Sequence, residues 1–213
     1  MPRSDGFFAI RPVKKNHHQQ SHTMEFTSNA LYHIYNRGNN SQKIFFNYGN
    51  YLYFLKKIEK HLLKHCDLLA YCLMPNHFHF LIETKDNLKE ESINKAIQTI
   101  LSSYTQGINK QEDSTGSLFQ QHTKSKLLDM NDPAYAAVCF HYIHQNPLRA
   151  ALVRQMEKWE FSSIKEYCSL TEQKLCNQDR ARLLFDLPVN KEDFLMLSNQ
   201  VISEDIIRSS FEF

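Results

Sequence analysis

The run Met74-Pro75-Asn76-His77-Phe78-His79-Phe80-Leu81-Ile82 carries two histidines separated by one residue. Along an extended chain successive side chains face opposite ways, so His77 and His79 project together while Phe78 and Phe80 project to the other side. Two imidazoles side by side suit a divalent metal, and a metal there points to chemistry on an anionic substrate. Taken alone, the pair fits a solvated sheet face equally well. The second cluster is Phe140-His141-Tyr142-Ile143-His144-Gln145-Asn146-Pro147-Leu148-Arg149-Ala150. On a helix Tyr142 and Asn146 share a face, four residues apart. A tyrosine can act as nucleophile, and an amide oxygen can ligate a metal. The bland reading makes Tyr142 a core aromatic and Asn146 a helix end, and Pro147 pushes Asn146 away from helical geometry. Tyr104 is the rival nucleophile, but it falls on the apolar stripe of its helix and reads as core. His141 and His144 read as ordinary polar positions.

These residues need a scaffold. Leu31–Arg37 alternates as a strand and ends at the turn cluster Gly38-Asn39-Asn40. A helix is predicted from about Asn50 to Lys64, with Leu52, Leu55, Ile58, Leu62 and Leu63 on one stripe. Leu68–Leu73 and His77–Glu83 read as two strands joined by Met74-Pro75-Asn76. A helix from Leu88 to about Lys110 follows, capped by Asn87 with Glu90. Its buried face is Ile93, Ile97, Ile100, Tyr104 and Ile108, and residues 111–117 form a polar loop. Lys124–Asp129 reads as a strand. Asp132-Pro133 opens a helix that Pro147 ends or kinks near Asn146. Short amphipathic helices are expected at 180–187, 191–199 and 204–211. The order implies an α+β fold: a small antiparallel sheet with helices packed on one face, the histidine face left open for a ligand, and a C-terminal helical extension.

The 213 residues are 42% hydrophobic, enough for one domain of ordinary size plus an appendage. Residues 1–23 lack periodicity and read as a disordered tail, 24–167 as the main domain and 168–213 as the extension. No apolar run approaches the ~20 residues that span a bilayer. The N-terminus has no apolar core of a secretory signal, and five cysteines without a C-x-x-C pair read as reduced thiols of a cytosolic protein. The net charge is +2, but residues 1–23 hold a surplus of three positives, which leaves −1 for the remainder. A nucleic-acid surface would have to be a local patch, which counts against a general DNA-coating protein.

Met74-Pro75-Asn76-His77-Phe78-His79, Gly116-Ser117-Leu118-Phe119-Gln120 and Tyr142-Ile143-His144-Gln145-Asn146-Pro147-Leu148-Arg149-Ala150, in this order and spacing, resemble the IS200-like, Y1-type transposases, in particular their REP-associated tyrosine branch. Lys158-Trp159-Glu160-Phe161-Ser162-Ser163 resembles the W-x-S-S segment that follows in those proteins. The resemblance extends over residues 26–167 and brings a likeness to the HUH single-strand endonucleases. It implies a metal-dependent endonuclease and strand transferase that works through a 5′-phosphotyrosine. On that carry-over His77 and His79 are metal ligands, Tyr142 is the nucleophile and Asn146 the third ligand. The metal would be Mg²⁺ or Mn²⁺, the partner single-stranded or hairpin DNA, with no membrane partner, and a homodimer is admitted. The expected location is the cytoplasm, at the nucleoid. Arg37, Lys124, Lys126 and Arg149 are the candidate DNA-binding residues. The family's Gly-Arg-Phe-Lys-like run is replaced by Gln121-His122-Thr123-Lys124, which removes an arginine and an aromatic. The alternative is a hairpin-binding protein that keeps the fold and does not cut.

Overall fold

The computed structural model describes residues 24–89, 91–128, 133–200, 202 and 207. Chain order is β1 (Leu31–Arg37), α1 (Tyr48–His61), β2 (Cys66–Met74), β3 (His77–Thr84), α2 (Ser92–Gln111), β4 (Lys124–Leu128), α3 (Pro133–Arg149), α4 (Ile164–Tyr167), α5 (Gln178–Phe185) and α6 (Lys191–Ser198). The four strands pair antiparallel in the order β2-β3-β1-β4, so the strand bearing His77 and His79 is central. This is the expected α+β fold.

Strand alternation sorts the sheet into two faces. Tyr32, Ile34, Phe78, Phe80 and Ile82 lie on one, and α1 and α2 close over it: the Phe54 ring of α1 sits 5.5 Å from Phe78 and 4.9 Å from Tyr104 of α2. Phe119, carried by the loop before β4, completes this aromatic cluster. The other face is not left bare. α3 lies across it with the Tyr142 ring over the histidines, and α5 and α6 pack on α3 in turn.

Several element ends differ from the sequence reading, each for a local reason. α1 starts at Tyr48, because Asn47 and Asn50 form a reciprocal capping box. α2 begins at Ser92; Asn87 sits in the preceding turn with φ +54, a conformation asparagine tolerates. Glu90 lies outside the described residues, as do Asp129, Asp132 and most of 204–211. Pro147 neither ends nor displaces the helix before it: α3 runs to Arg149. A proline in the last turn forfeits one backbone bond, and the Ala150 N–H still reaches the Asn146 carbonyl at 2.9 Å.

Residues 159–163 finish the sheet. The Leu73 N–H donates to the Phe161 carbonyl and the Ser163 N–H to the Tyr71 carbonyl, while the Ser163 hydroxyl accepts from the Tyr71 N–H at 2.8 Å. The Trp159 indole donates to the Leu73 carbonyl at 3.0 Å, and Phe161 stacks on Tyr51 at 3.7 Å. The segment Trp159–Ser163 thus covers the outer edge of β2. All five cysteines are free and buried. Among the described residues no helix is long and apolar enough to cross a membrane.

Candidate active site

The two-residue connection Pro75-Asn76 makes β2 and β3 a tight hairpin in which Met74 faces His77. The loop after β1 pins this turn: Ile44 and Phe45 N–H groups donate to the Pro75 carbonyl and Gly38 N–H to the Asn76 carbonyl. Gly38 is required by close approach, since a Cβ there would lie 2.2 Å from the Gln42 carbonyl oxygen. Asn76 Oδ1 is 2.7 Å from Nδ1 of His77. The rim of the histidine face is therefore set by backbone bonds rather than by loose side chains.

His77 and His79 project to the same face with ring centroids 5.1 Å apart. The Tyr142 ring meets His79 edge-on at 5.6 Å. Asn146 stays helical, its amide Nδ2 donating to the Tyr142 carbonyl at 2.9 Å. That side chain lies within hydrogen-bonding reach of His77. The structure thus brings together Tyr142, His77, His79 and Asn146. Burial holds His77 down to about 4, opposed by its bond to Asn146 and helped by Arg37, and it holds His79 well below the usual histidine range. Both imidazoles are neutral at physiological pH, the form that offers a lone pair to a cation.

His33 joins this group and was not singled out by the sequence. It stands diagonal to His79 across the β1–β3 pair, since Tyr35 is the residue opposite His79. Its Nε2 lies 2.9 Å from Nδ1 of His79. Tyr35 stacks on it at 4.7 Å, and the Tyr142 ring meets it edge-on at 6.3 Å. Full burial and the nearby Lys126 hold it neutral, pulled down to about 3. The available signal was parity: His33, Tyr35 and Arg37 alternate on one face of β1, but only the pairing register aims that face at His79.

The candidate DNA-binding residues divide. Arg37 pairs across from His77, Lys124 from Tyr35 and Lys126 from His33, so all three share the histidine face. Arg37 donates to the Ser41 hydroxyl at 2.7 Å, and Lys126 to the Tyr135 hydroxyl at 2.7 Å. Lys124 lies 5.8 Å from the Tyr35 ring centre. Arg149 is exposed in the last turn of α3. Tyr104 is core, as expected: it is fully buried and donates to the Ile44 carbonyl at 2.7 Å. His141 and His144 bond Ser198 and Ser163 and hold α3 to its neighbours.

The donor set can be tested against a divalent ion. Among the described residues no three His, Cys, Asp or Glu side chains are placed to hold a metal ion together, which makes the Asn146 amide beside His77 the candidate for a third protein ligand. Its nitrogen bonds the Tyr142 carbonyl and the side chain reaches His77. Two imidazoles and an amide oxygen suit a borderline divalent ion and leave positions for phosphate oxygens.

The model of the family described as "Transposase IS200 like" matches residues 26–146. The chain belongs to the IS200-like transposase family. The match holds both histidines, the tyrosine and Asn146. Among solved structures, this transposase is similar to a REP-associated tyrosine transposase solved bound to a REP hairpin, with a TM-score of 0.55 and 16% identity over 85% of this chain and 98% of that one. At that identity the likeness is one of fold. Bacterial tRNA(His) guanylyltransferase-like proteins in complex with GTP and with ATP are matched at TM-scores of 0.38 and 0.40, with 13% and 11% identity, over 80% and 85% of this chain and 72% and 75% of theirs. They carry no argument. No curated protein sequence matches.

Proposed function

We propose that this IS200-like transposase is a divalent-metal-dependent endonuclease and strand transferase for single-stranded, hairpin-forming DNA, of the REP-associated tyrosine kind. The observation that carries the reading is the meeting of the Tyr142 ring with His79 at 5.6 Å, beside an Asn146 amide that serves both the Tyr142 turn and His77. Tyr142 Oη attacks the scissile phosphorus and the bond from phosphorus to the 3′ oxygen breaks. The phenolic proton is lost to solvent and the departing 3′ oxygen gains one. A 5′-phosphotyrosyl link and a free 3′ hydroxyl result, and attack by a 3′ hydroxyl on that link rejoins a strand without ATP.

His77, His79 and Asn146 would hold the ion. When bound it withdraws charge from the scissile phosphate and favours attack by a phenol whose ordinary pKa near 10 leaves little phenolate at neutral pH. Mg²⁺ prefers oxygen ligands, so two imidazoles favour Mn²⁺. Asn146 ties its own amide to the turn that carries Tyr142, so ligand and nucleophile move as one unit. Arg37, Lys124 and Lys126 face the same side and would contact the phosphates on either side of the cut.

A hairpin-cleavage assay with Mn²⁺ tests this. Wild type should nick the DNA and carry it covalently, whereas Tyr142→Phe should bind equally and fall to background; loss of a nucleophile costs ~10⁶-fold in a hydrolase. One observation favours the non-cleaving reading, namely that Tyr142 is only 5% exposed. Equal binding with no nicking by either protein would establish that reading instead.

A further inference from the structure

We infer that His33 is a positioning residue, holding His79 in the tautomer that presents Nε2 to a divalent cation. The inference rests on the metal-dependent reading above. One proton lies between His33 Nε2 and His79 Nδ1, which are 2.9 Å apart. If His33 donates it, His79 must carry its own proton on Nε2 and has no lone pair there. If His79 donates it, the Nε2 lone pair is free for the ion. The choice made by His33 therefore decides whether His79 can be a ligand.

The metal-dependent reading needs the second arrangement, and the packing holds both rings where it can form. Both rings are fully buried, with planes 16° apart and centroids 5.1 Å apart, and Tyr35 stacks on both, so neither ring can turn freely. In that arrangement β1 supplies the acceptor behind the ligand. Metal-bound histidines commonly donate their other N–H to a carboxylate, a carbonyl or water. A carboxylate would cancel part of the ion's charge. An imidazole fixes the geometry and leaves that charge for the phosphate.

Two measurements on the full-length protein test this. Nitrogen NMR of the metal-free wild type should find the His79 proton on Nδ1; a proton on Nε2 would overturn the inference. Calorimetric titration with Mn²⁺ should find His33→Phe weakened 10- to 100-fold, the usual range for loss of an outer-shell partner, with His33→Gln restored to within about threefold because its amide oxygen falls near the place of Nε2. Mn²⁺ binding by His33→Phe at wild-type strength would also overturn it. The NMR reading stands even if the phenylalanine variant fails to fold. Should wild type bind Mn²⁺ with the expected His33 dependence and yet not nick hairpin DNA, the nuclease reading alone fails. No Mn²⁺ uptake by wild type sinks both.

Discussion

The two faces of one sheet are built to different ends. On the face covered by α1 and α2, Phe54, Phe78, Phe80, Tyr104 and Phe119 interlock, and their burial stabilises the fold by removing apolar surface from water. On the face under α3, the same strands present His33, His77, His79 and Arg37, and the full burial of His33 and His79 carries a desolvation cost. Alternation lets one strand serve both, with Phe78 and Phe80 securing the backbone that aims His77 and His79. The large aromatic cluster lies on one side and the proposed site on the other.

The largest expected effect separates them. Phe54→Ala should lower unfolding free energy in urea by about 3–5 kcal/mol, as large-to-small core changes do, while leaving Mn²⁺ affinity nearly unchanged. A parallel fall in affinity would show that the faces are coupled. Acid should reveal the price of burying a histidine where α3, which covers the polar face, packs on Ser198 of α6. Burial pulls His141 from 6.5 to about 4. The unfolded chain therefore takes up a proton that the folded chain refuses, and stability present above about pH 6.5 is lost progressively toward pH 4, by about 3 kcal/mol for this group. Urea titrations at pH 7 and pH 4.5 should show that loss, and His141→Gln should reduce it. Asn146→Ala should weaken Mn²⁺ binding at least about tenfold by calorimetry, with a stability change of about 1 kcal/mol from the lost bond to Tyr142. The smallest effect belongs to Lys124→Ala: the salt dependence of hairpin binding should become shallower by about one counterion, with cleavage of bound DNA unchanged.

Local periodicity carried much of this fold. Ile93, Ile97, Ile100, Tyr104 and Ile108 mark the buried stripe of α2 in sequence and are buried in the structure. The two-residue step from His77 to His79 and the four-residue step from Tyr142 to Asn146 are likewise regular spacings that the chain displays openly. Hidden were properties that arise only between segments. His33 reads as one more polar residue of β1 until antiparallel pairing sets it diagonal to His79. The Asn47–Asn50 box uses two asparagines in place of the more recognisable Ser/Thr and Glu pair. Pro147 looked disruptive because its place in the last helical turn, where one missing amide matters little, depends on where the helix ends.

The segment Trp159–Ser163 has a bearing on how the chain can be cut. A fragment ending at residue 146, where the family match stops, would retain His77, His79, Tyr142 and Asn146. It would also strip nine-residue β2 of the strand-like cover on its outer side, baring amides and carbonyls able to recruit a neighbouring molecule. A protein cut at the end of the family match should therefore self-associate where the full chain does not.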